Sequence, residues 1–225
     1  MDDKRYLLSL IREGEHQQQD FKYRVSNACK LAKSVSAFAN TDGGRLLIGV
    51  RDDGRIHGVQ SEEEVYMMEA AANRYCLPES DIHFESVQAE GHTVVIATIP
   101  PATQRPVCAL EPDDTPQPDH IAIGGNTYRA TAYVRVADQN IVASPVHLSL
   151  WRQQQQPFGT TLHFTDAEHR LLDQLRTSPG STLNRLTRLV RLPRKRVSDL
   201  LARFVRYNLV EMAYADGNWR FQLCP

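Results

Sequence analysis

The sequence predicts an α+β fold: a mixed sheet with packed helices, followed by a smaller, mainly helical domain. Three observations carry that expectation. Residues 1–150 alternate helical periods with short apolar runs bounded by turn formers. A glutamine run then meets Pro157 and Gly159 in WRQQQQPFGTT, residues 151–161, which marks a break in composition. Beyond it, three amphipathic segments precede two strand-like runs around Asp216 and Gly217. The expected organisation is an α/β domain over 1–150, a linker over 151–163 and a second domain over 164–225.

Within the first domain, Val25, Ala28, Ala32, Val35 and Phe38 recur at helical spacing and predict a helix over 24–39. Leu46 to Val50 is a short apolar run between turns, the pattern of a buried strand. Gly43 and Gly44 allow a close turn from helix to strand, and Asp53 with Gly54 signals a hairpin into IHGV. Residues 61–76 read as a helix, and HFESVQ and HTVVIATI read as strands joined at Glu90 and Gly91. ALEPDDTPQPD, acidic and proline-rich, reads as an exposed loop before TAYVRVADQ resumes a strand. SPVHLSLWRQQQQ starts a helix capped by Ser144 with Pro145 in its first position.

The second domain is more explicit. Thr165 and Glu168 form a capping box ahead of Leu171, Leu172 and Leu175. Ser181 or Thr182 opens a second helix through Leu183, Leu186, Leu189 and Val190. After Leu192 and Pro193, a third carries Val197, Leu200, Leu201, Phe204 and Val205 on one face. Three helices and a β-hairpin make a winged helix-turn-helix, whose helix after the turn enters the major groove while basic groups hold phosphates. Arg185, Arg188, Arg191, Arg194, Lys195 and Arg196 crowd this turn without an acidic residue among them. Arg203 and Arg206 extend the third helix, and Arg220 lies in the hairpin. These nine are the expected phosphate contacts, and the alternative is a solvated basic face on a protein-docking module.

Charge supports the division of labour. The net charge is −1, yet residues 165–225 hold 11 basic and 6 acidic side chains, so the remainder is acidic. No apolar run suits a membrane span and no secretory leader is evident, so a cytoplasmic protein is expected. Cys29, Cys76, Cys108 and Cys224 are scattered without metal-ligand spacing and are expected as reduced, buried thiols. No phosphate loop, HExxH or G-x-S-x-G motif occurs, and the eight histidines suggest packing or solvent-facing roles. No cofactor is expected.

EGEHQQQDFK at 13–22, followed by a helix and then SAFANTDGGRLLIGVRDDGRIHGV at 36–59, resembles the Schlafen AlbA_2 family, described as a DNA-binding domain. AYVRVADQNIVAS at 132–144 is similar to the family's closing strand, with Arg135 as its arginine. The resemblance implies an AlbA_2-like domain that binds nucleic acid, often joined in bacteria to a winged helix. In some animal members it implies a metal-dependent endoribonuclease with three carboxylates, which fall on Glu15, Asp20 and Asp52. Position 20 holds Asp where the family has Glu. These three would be both catalytic residues and ligands of magnesium or manganese, with Lys22 able to touch phosphate.

The expected function is therefore a DNA-binding transcriptional regulator, with RNA as the other polyanion and no membrane partner. A homodimer would align two half-sites. The rival readings are the endoribonuclease acting on structured RNA and the docking module.

Overall fold

A computed structural model describes residues 3–59, 62–113, 115, 117, 120–123, 125–157 and 164–225. The chain forms two compact units, Met1–Val142 and Ala143–Pro225.

The first unit contains α1 (Asp3–Glu13), β1 (Gln19–Lys22), α2 (Ala28–Ala39), β2 (Gly44–Ile48), α3 (Glu62–Asn73), β3 (Cys76–Leu77), β4 (His83–Ala89), β5 (His92–Ile99), β6 (Cys108–Pro112), β7 (Ile121–Ile123), β8 (Asn126–Val136) and β9 (Gln139–Val142). One sheet runs β1-β2-β5-β4, with β1 and β2 parallel and the other pairs antiparallel. A second, antiparallel sheet runs β3-β6-β8-β7, with β9 folded back on β8.

Side chains alternate across a strand, and the apolar run of β2 shows what that requires. Leu46 and Ile48 join a core with Leu31, Val35 and Phe38 of α2, while Leu47 joins Leu7 and Leu10 of α1 and Phe21 of β1. A strand covered on both faces reads as a continuous apolar stretch. The sequence reading contained no helix at α1, which supplies the second cover. Helix α2 also packs with Ala109 and Tyr133, so its core takes residues from both sheets.

The AFANT segment joins those layers with polar groups. Asn40 donates from Nδ2 to the carbonyls of Val107 (2.7 Å) and Tyr133 (2.9 Å) and accepts the Val107 N–H at 2.8 Å. Ser36 donates to the Val107 carbonyl and accepts the Tyr133 N–H. Thr41 accepts the Arg135 N–H at 2.9 Å. These buried backbone groups would otherwise lack partners, which costs far more than an ordinary hydrogen bond contributes. The two glycines that follow answer to steric limits: Gly43 has φ +71°, and a Cβ on Gly44 would enter the Phe38 ring and approach the Gln18 carbonyl to 2.9 Å.

Several boundaries differ from expectation. Helix α2 starts at Ala28 because Asn27 caps it by accepting the Lys30 N–H. Residues 109–112, expected at the start of an exposed loop, belong to β6 (Cys108–Pro112), whose Ala109 joins the core and whose Leu110 is buried. Positions 114, 116, 118 and 119 of that loop lie outside the described residues. The hairpin at Asp53 and Gly54 is a tight turn with one bridge, Val50 to Ile56, because the His57 and Gly58 N–H groups both turn onto the Gly49 carbonyl. The turn at Glu90 and Gly91 has both residues at positive φ, as a two-residue hairpin requires.

The second unit contains α4 (Pro145–Gln154), α5 (Asp166–Thr177), β10 (Ser181–Thr182), α6 (Leu183–Val190), α7 (Arg194–Arg206), β11 (Val210–Ala215) and β12 (Asn218–Leu223). Its antiparallel sheet has the order β10-β12-β11, turned at Asp216 and Gly217. Leu171, Leu175, Leu186, Val197, Leu201, Phe204 and Phe221 form the core, joined by Val146 and Leu150 of α4. Those two residues place α4 with this unit, so the division falls earlier than the change in composition at residue 151. Trp151 to Gln154, within the expected linker, are helical, and residues 158–163 lie outside the described residues.

His147 closes the first turn of α4. It is buried, its Nδ1 accepts the Ser144 N–H at 3.1 Å, and its ring meets Trp219 at 4.4 Å and Trp151 at 5.7 Å between centroids. Burial pushes its pKa down to about 4. The folded state thus favours neutral imidazole, and the unfolded chain binds the proton first as pH falls through the ordinary histidine range. Its stabilising contribution is complete above pH 6.5 and declines toward pH 4.

Two predictions follow from these contacts. Gly44→Ala lowers the urea midpoint by an amount equivalent to about 1–3 kcal/mol, the usual cost of overpacking. Between pH 7 and 5, tryptophan-monitored unfolding loses about 2 kcal/mol through His147; His147→Gln removes that slope, and an unchanged slope in the variant refutes the assignment.

Candidate nucleic-acid interface and acidic motif

The polar run before β1 is built into the backbone. Gln19 donates to the carbonyls of Leu10 and Gly14, each at 2.7 Å, and accepts from the Arg45 guanidinium. Gln17 binds the Arg135 carbonyl and the Ala137 N–H. Gln18 reaches the Asp42 carbonyl. These side chains fix the entry into β1 and so the positions of the residues on either side.

Glu15 and Asp20 are brought together there. Glu15 accepts the Phe21 N–H at 2.9 Å. Its pKa is raised, first by burial and then by a hydrogen bond with the Asp20 carboxyl. Asp20, 5% exposed, pairs through Oδ2 with the Lys22 ammonium and through Oδ1 with Arg135 at 3.4 Å. Lys22 also donates to the Phe21 carbonyl at 2.9 Å.

Arg135 is 2% exposed and surrounded. It donates to Asn140 Oδ1 at 2.9 Å and to the Gln19 carbonyl at 3.2 Å, and its guanidinium lies 4.9 Å from the centre of the Phe38 ring. Asp52, by contrast, is exposed in the turn after β2. Its neighbour Asp53 shapes that turn by accepting the Arg55 N–H at 3.1 Å.

The residues proposed as metal ligands therefore separate. Glu15, Asp20 and Lys22 gather in one place, but no group of three His, Cys, Asp or Glu side chains suited to a metal exists among the described residues. Asp20 already faces two cations. This arrangement does not fit a three-carboxylate magnesium or manganese centre.

The basic residues of the second unit also sort into two groups. Arg185, Arg188, Arg191, Arg194, Lys195 and Arg196 are exposed. Arg185 touches Ser178 Oγ at 3.3 Å and Arg194 touches Asn184, leaving both at the surface. Arg203 and Arg206 do not extend that exposed face. Arg203 pairs at 2.6 Å with Glu168, whose buried carboxylate also accepts the Thr165 N–H, and Arg206 donates to the carbonyls of Gln153 and Gln156 at the end of α4. Arg220 is half-buried, held by the Gly180 carbonyl and Asp216. Packing of α4 on α7 supplies the carbonyls that engage Arg206, a tertiary relation that helical spacing does not contain.

Sequence reasoning passed over an aromatic and basic group in the first unit. The Tyr23 ring lies 4.8 Å from the Arg51 guanidinium and 5.8 Å from that of Arg24, and it meets the His57 ring at 4.5 Å. An aromatic residue adjoining the [ED]FK motif, with cations on both flanking segments, was the available signal.

The Schlafen, AlbA_2 family model matches residues 15–144, more than half of the chain. The chain belongs to the Schlafen AlbA_2 family. This membership identifies the first unit with a nucleic-acid-binding domain. Two solved structures resemble this Schlafen AlbA_2 chain. The DIP2311 protein of Corynebacterium diphtheriae is 17% identical with a TM-score of 0.44, over 92% of this chain and 34% of that one. The N-terminal domain of a RecG-related protein from Nitrosomonas europaea, named for an ATP-dependent DNA helicase, is 22% identical with a TM-score of 0.38, over 71% and 98%. The chain thus spans about a third of the DIP2311 protein. No curated protein matches it. No described helix of this Schlafen AlbA_2 chain is long and apolar enough to cross a membrane.

Removal of the Asp20 charge tests its role as counter-ion to Lys22 and buried Arg135. Asp20→Asn is expected to destabilise the chain by about 3–5 kcal/mol in urea unfolding, the range for breaking a buried pair from one side. A change below about 1 kcal/mol sinks the assignment, since that is what a solvated surface pair contributes.

Proposed function

We propose that the chain is a DNA-binding regulator whose C-terminal unit acts as a winged helix, with α7 as the helix that meets the duplex. The order α5, β10, α6, α7, β11, β12 supports this reading. One observation carries it: the start of α7. Arg194, Lys195 and Arg196 occupy its first turn, which holds no acidic residue, and its cap, Pro193, makes no side-chain hydrogen bond. Cations at a helix N-terminus oppose the macrodipole at a cost of about 0.3–1 kcal/mol each. An incoming phosphate reverses that balance, because it meets both the basic side chains and the first-turn N–H groups. Arg191, at positive φ in the turn before α7, and Arg188 are exposed as well.

The same reading takes two copies on paired half-sites as the working form. The endoribonuclease alternative receives no support from the acidic motif, whose Asp20 is engaged by Lys22 and Arg135.

Anisotropy titrations of duplex DNA over a range of salt test the proposal. Replacing Arg194, Lys195 and Arg196 together by Ala reduces the salt slope by about 2.7, at about 0.9 per phosphate contact. Arg203→Lys, which keeps a cation beside Glu168, leaves the slope in place. An unchanged slope in the triple variant refutes the role of α7.

A further inference from the structure

A cleft of about 260 Å³ opens in the first unit between the end of β1 and the first turn of α2. Its lining includes Lys22, Arg24 and Lys30 over an apolar floor of Val25 and Leu31, with no carboxylate among the lining residues. Helix α2 adds no acidic residue in its first turn. The lining is therefore positive, and of its three cations only Lys22 is held by a carboxylate, that of Asp20 behind it.

Lys33 pairs with Glu111, Arg45 with Glu13 and Arg55 with Asp53. Arg24, Lys30 and Arg51 have no carboxylate partner among the described residues. Two of these three are arranged by an aromatic ring: Arg51 and Arg24 both lie over Tyr23. Lys22 is held by its ion pair with Asp20 and its hydrogen bond to the Phe21 carbonyl. Holding cations in place before a ligand arrives reduces the entropy lost on binding.

We propose that this cleft seats a phosphate of an unpaired nucleic-acid strand, with the Tyr23-braced guanidiniums of Arg24 and Arg51 offering planar faces to adjoining bases. The inference rests on the nucleic-acid reading of the family domain and is independent of α7. Concavity favours a strand over a duplex. A single strand can bend one phosphate inward and turn its bases out, whereas duplex phosphates lie on a stiff convex cylinder with their bases stacked away. Arginine planes and aromatic rings are the groups on which unpaired bases stack.

The experiment uses the full chain carrying Ala at 194, 195 and 196, which removes the α7 contact, and fluorescein-labelled 12-mers of deoxythymidylate and uridylate. Retained strand binding that weakens at least tenfold on adding Lys30→Ala and Arg51→Ala, both exposed positions, supports the cleft. Tyr23→Phe keeps the ring and is expected to retain binding, while Tyr23→Ala weakens it. In the parent chain, the Lys30 and Arg51 changes leave duplex affinity within twofold. Strand affinity unchanged by the Lys30 and Arg51 changes overturns the inference, as does loss of all strand binding in the α7 variant. Displacement of the strand by AMP or ATP at equal nucleotide concentration assigns the cleft to free nucleotides and also overturns it. Duplex binding that fails in the parent chain while strand binding persists removes the α7 proposal and leaves this one intact.

Discussion

The first unit depends on one buried cation. Arg135, on β8, meets Asp20 and the Gln19 carbonyl from β1, Asn140 from β9 and the Phe38 ring from α2. Taking a guanidinium out of water is costly unless its charge and donors are met. The surrounding elements must therefore hold their places together, because moving any of them exposes part of that cost. The polar AFANT contacts stand beside this centre and fasten α2 to Val107 and Tyr133. A family motif that looks rich in turn formers is largely an answer to the problem of joining two sheets through a helix with the buried backbone groups of Val107 and Tyr133 satisfied.

This constraint also decides the character of the acidic motif. Carboxylates poised for a divalent ion need lone pairs directed at a shared point. Asp20 instead divides its two oxygens between Lys22 and Arg135, and Glu15 turns to the Phe21 N–H and to Asp20 itself. The carboxylate pair is thus bound into the architecture, and its useful product is a fixed Lys22. Asp52 sits in a turn whose form comes from Asp53 and Gly54. The acids close to one another in the fold are the two nearest in sequence, while the third stands apart on the surface.

Elements with strong periods were legible in the sequence. The apolar stripe of α7, the doubly covered β2 and the glycine turns at Gly91 and Gly217 each carry a local pattern with one physical solution. Helix α1 escaped because a short polar-flanked segment has its apolar face explained only by the sheet it covers. Strand β6 escaped because Pro112 and neighbouring acids dominate its composition, although Ala109 and Leu110 are both buried. Asp20 was legible as a motif residue, but its partner Arg135 lies 115 positions away, and no spacing rule reveals which charge neutralises which. The same limit applies to His147, whose lowered pKa comes from burial that no local pattern announces.

Arginine position then separates scaffold from surface in the second unit. Arg203 and Arg206 sit in the last turns of α7, where Arg203 neutralises Glu168 and Arg206 binds the carbonyls of Gln153 in α4 and Gln156 just beyond it. A cation near a helix C-terminus suits the local dipole, so these residues satisfy the fold without a ligand. Arg194, Lys195 and Arg196 occupy the opposite end, where the dipole disfavours them, the first turn holds no acidic residue, and only Arg196 feels a carboxylate, that of Glu168. The two ends of one helix therefore carry the same side chain under opposite electrostatic conditions. Only the N-terminal end is left in a state that an external phosphate improves, and such contacts set register and affinity while base edges set sequence preference. That asymmetry along α7, more than the total positive charge, is the argument for a nucleic-acid surface.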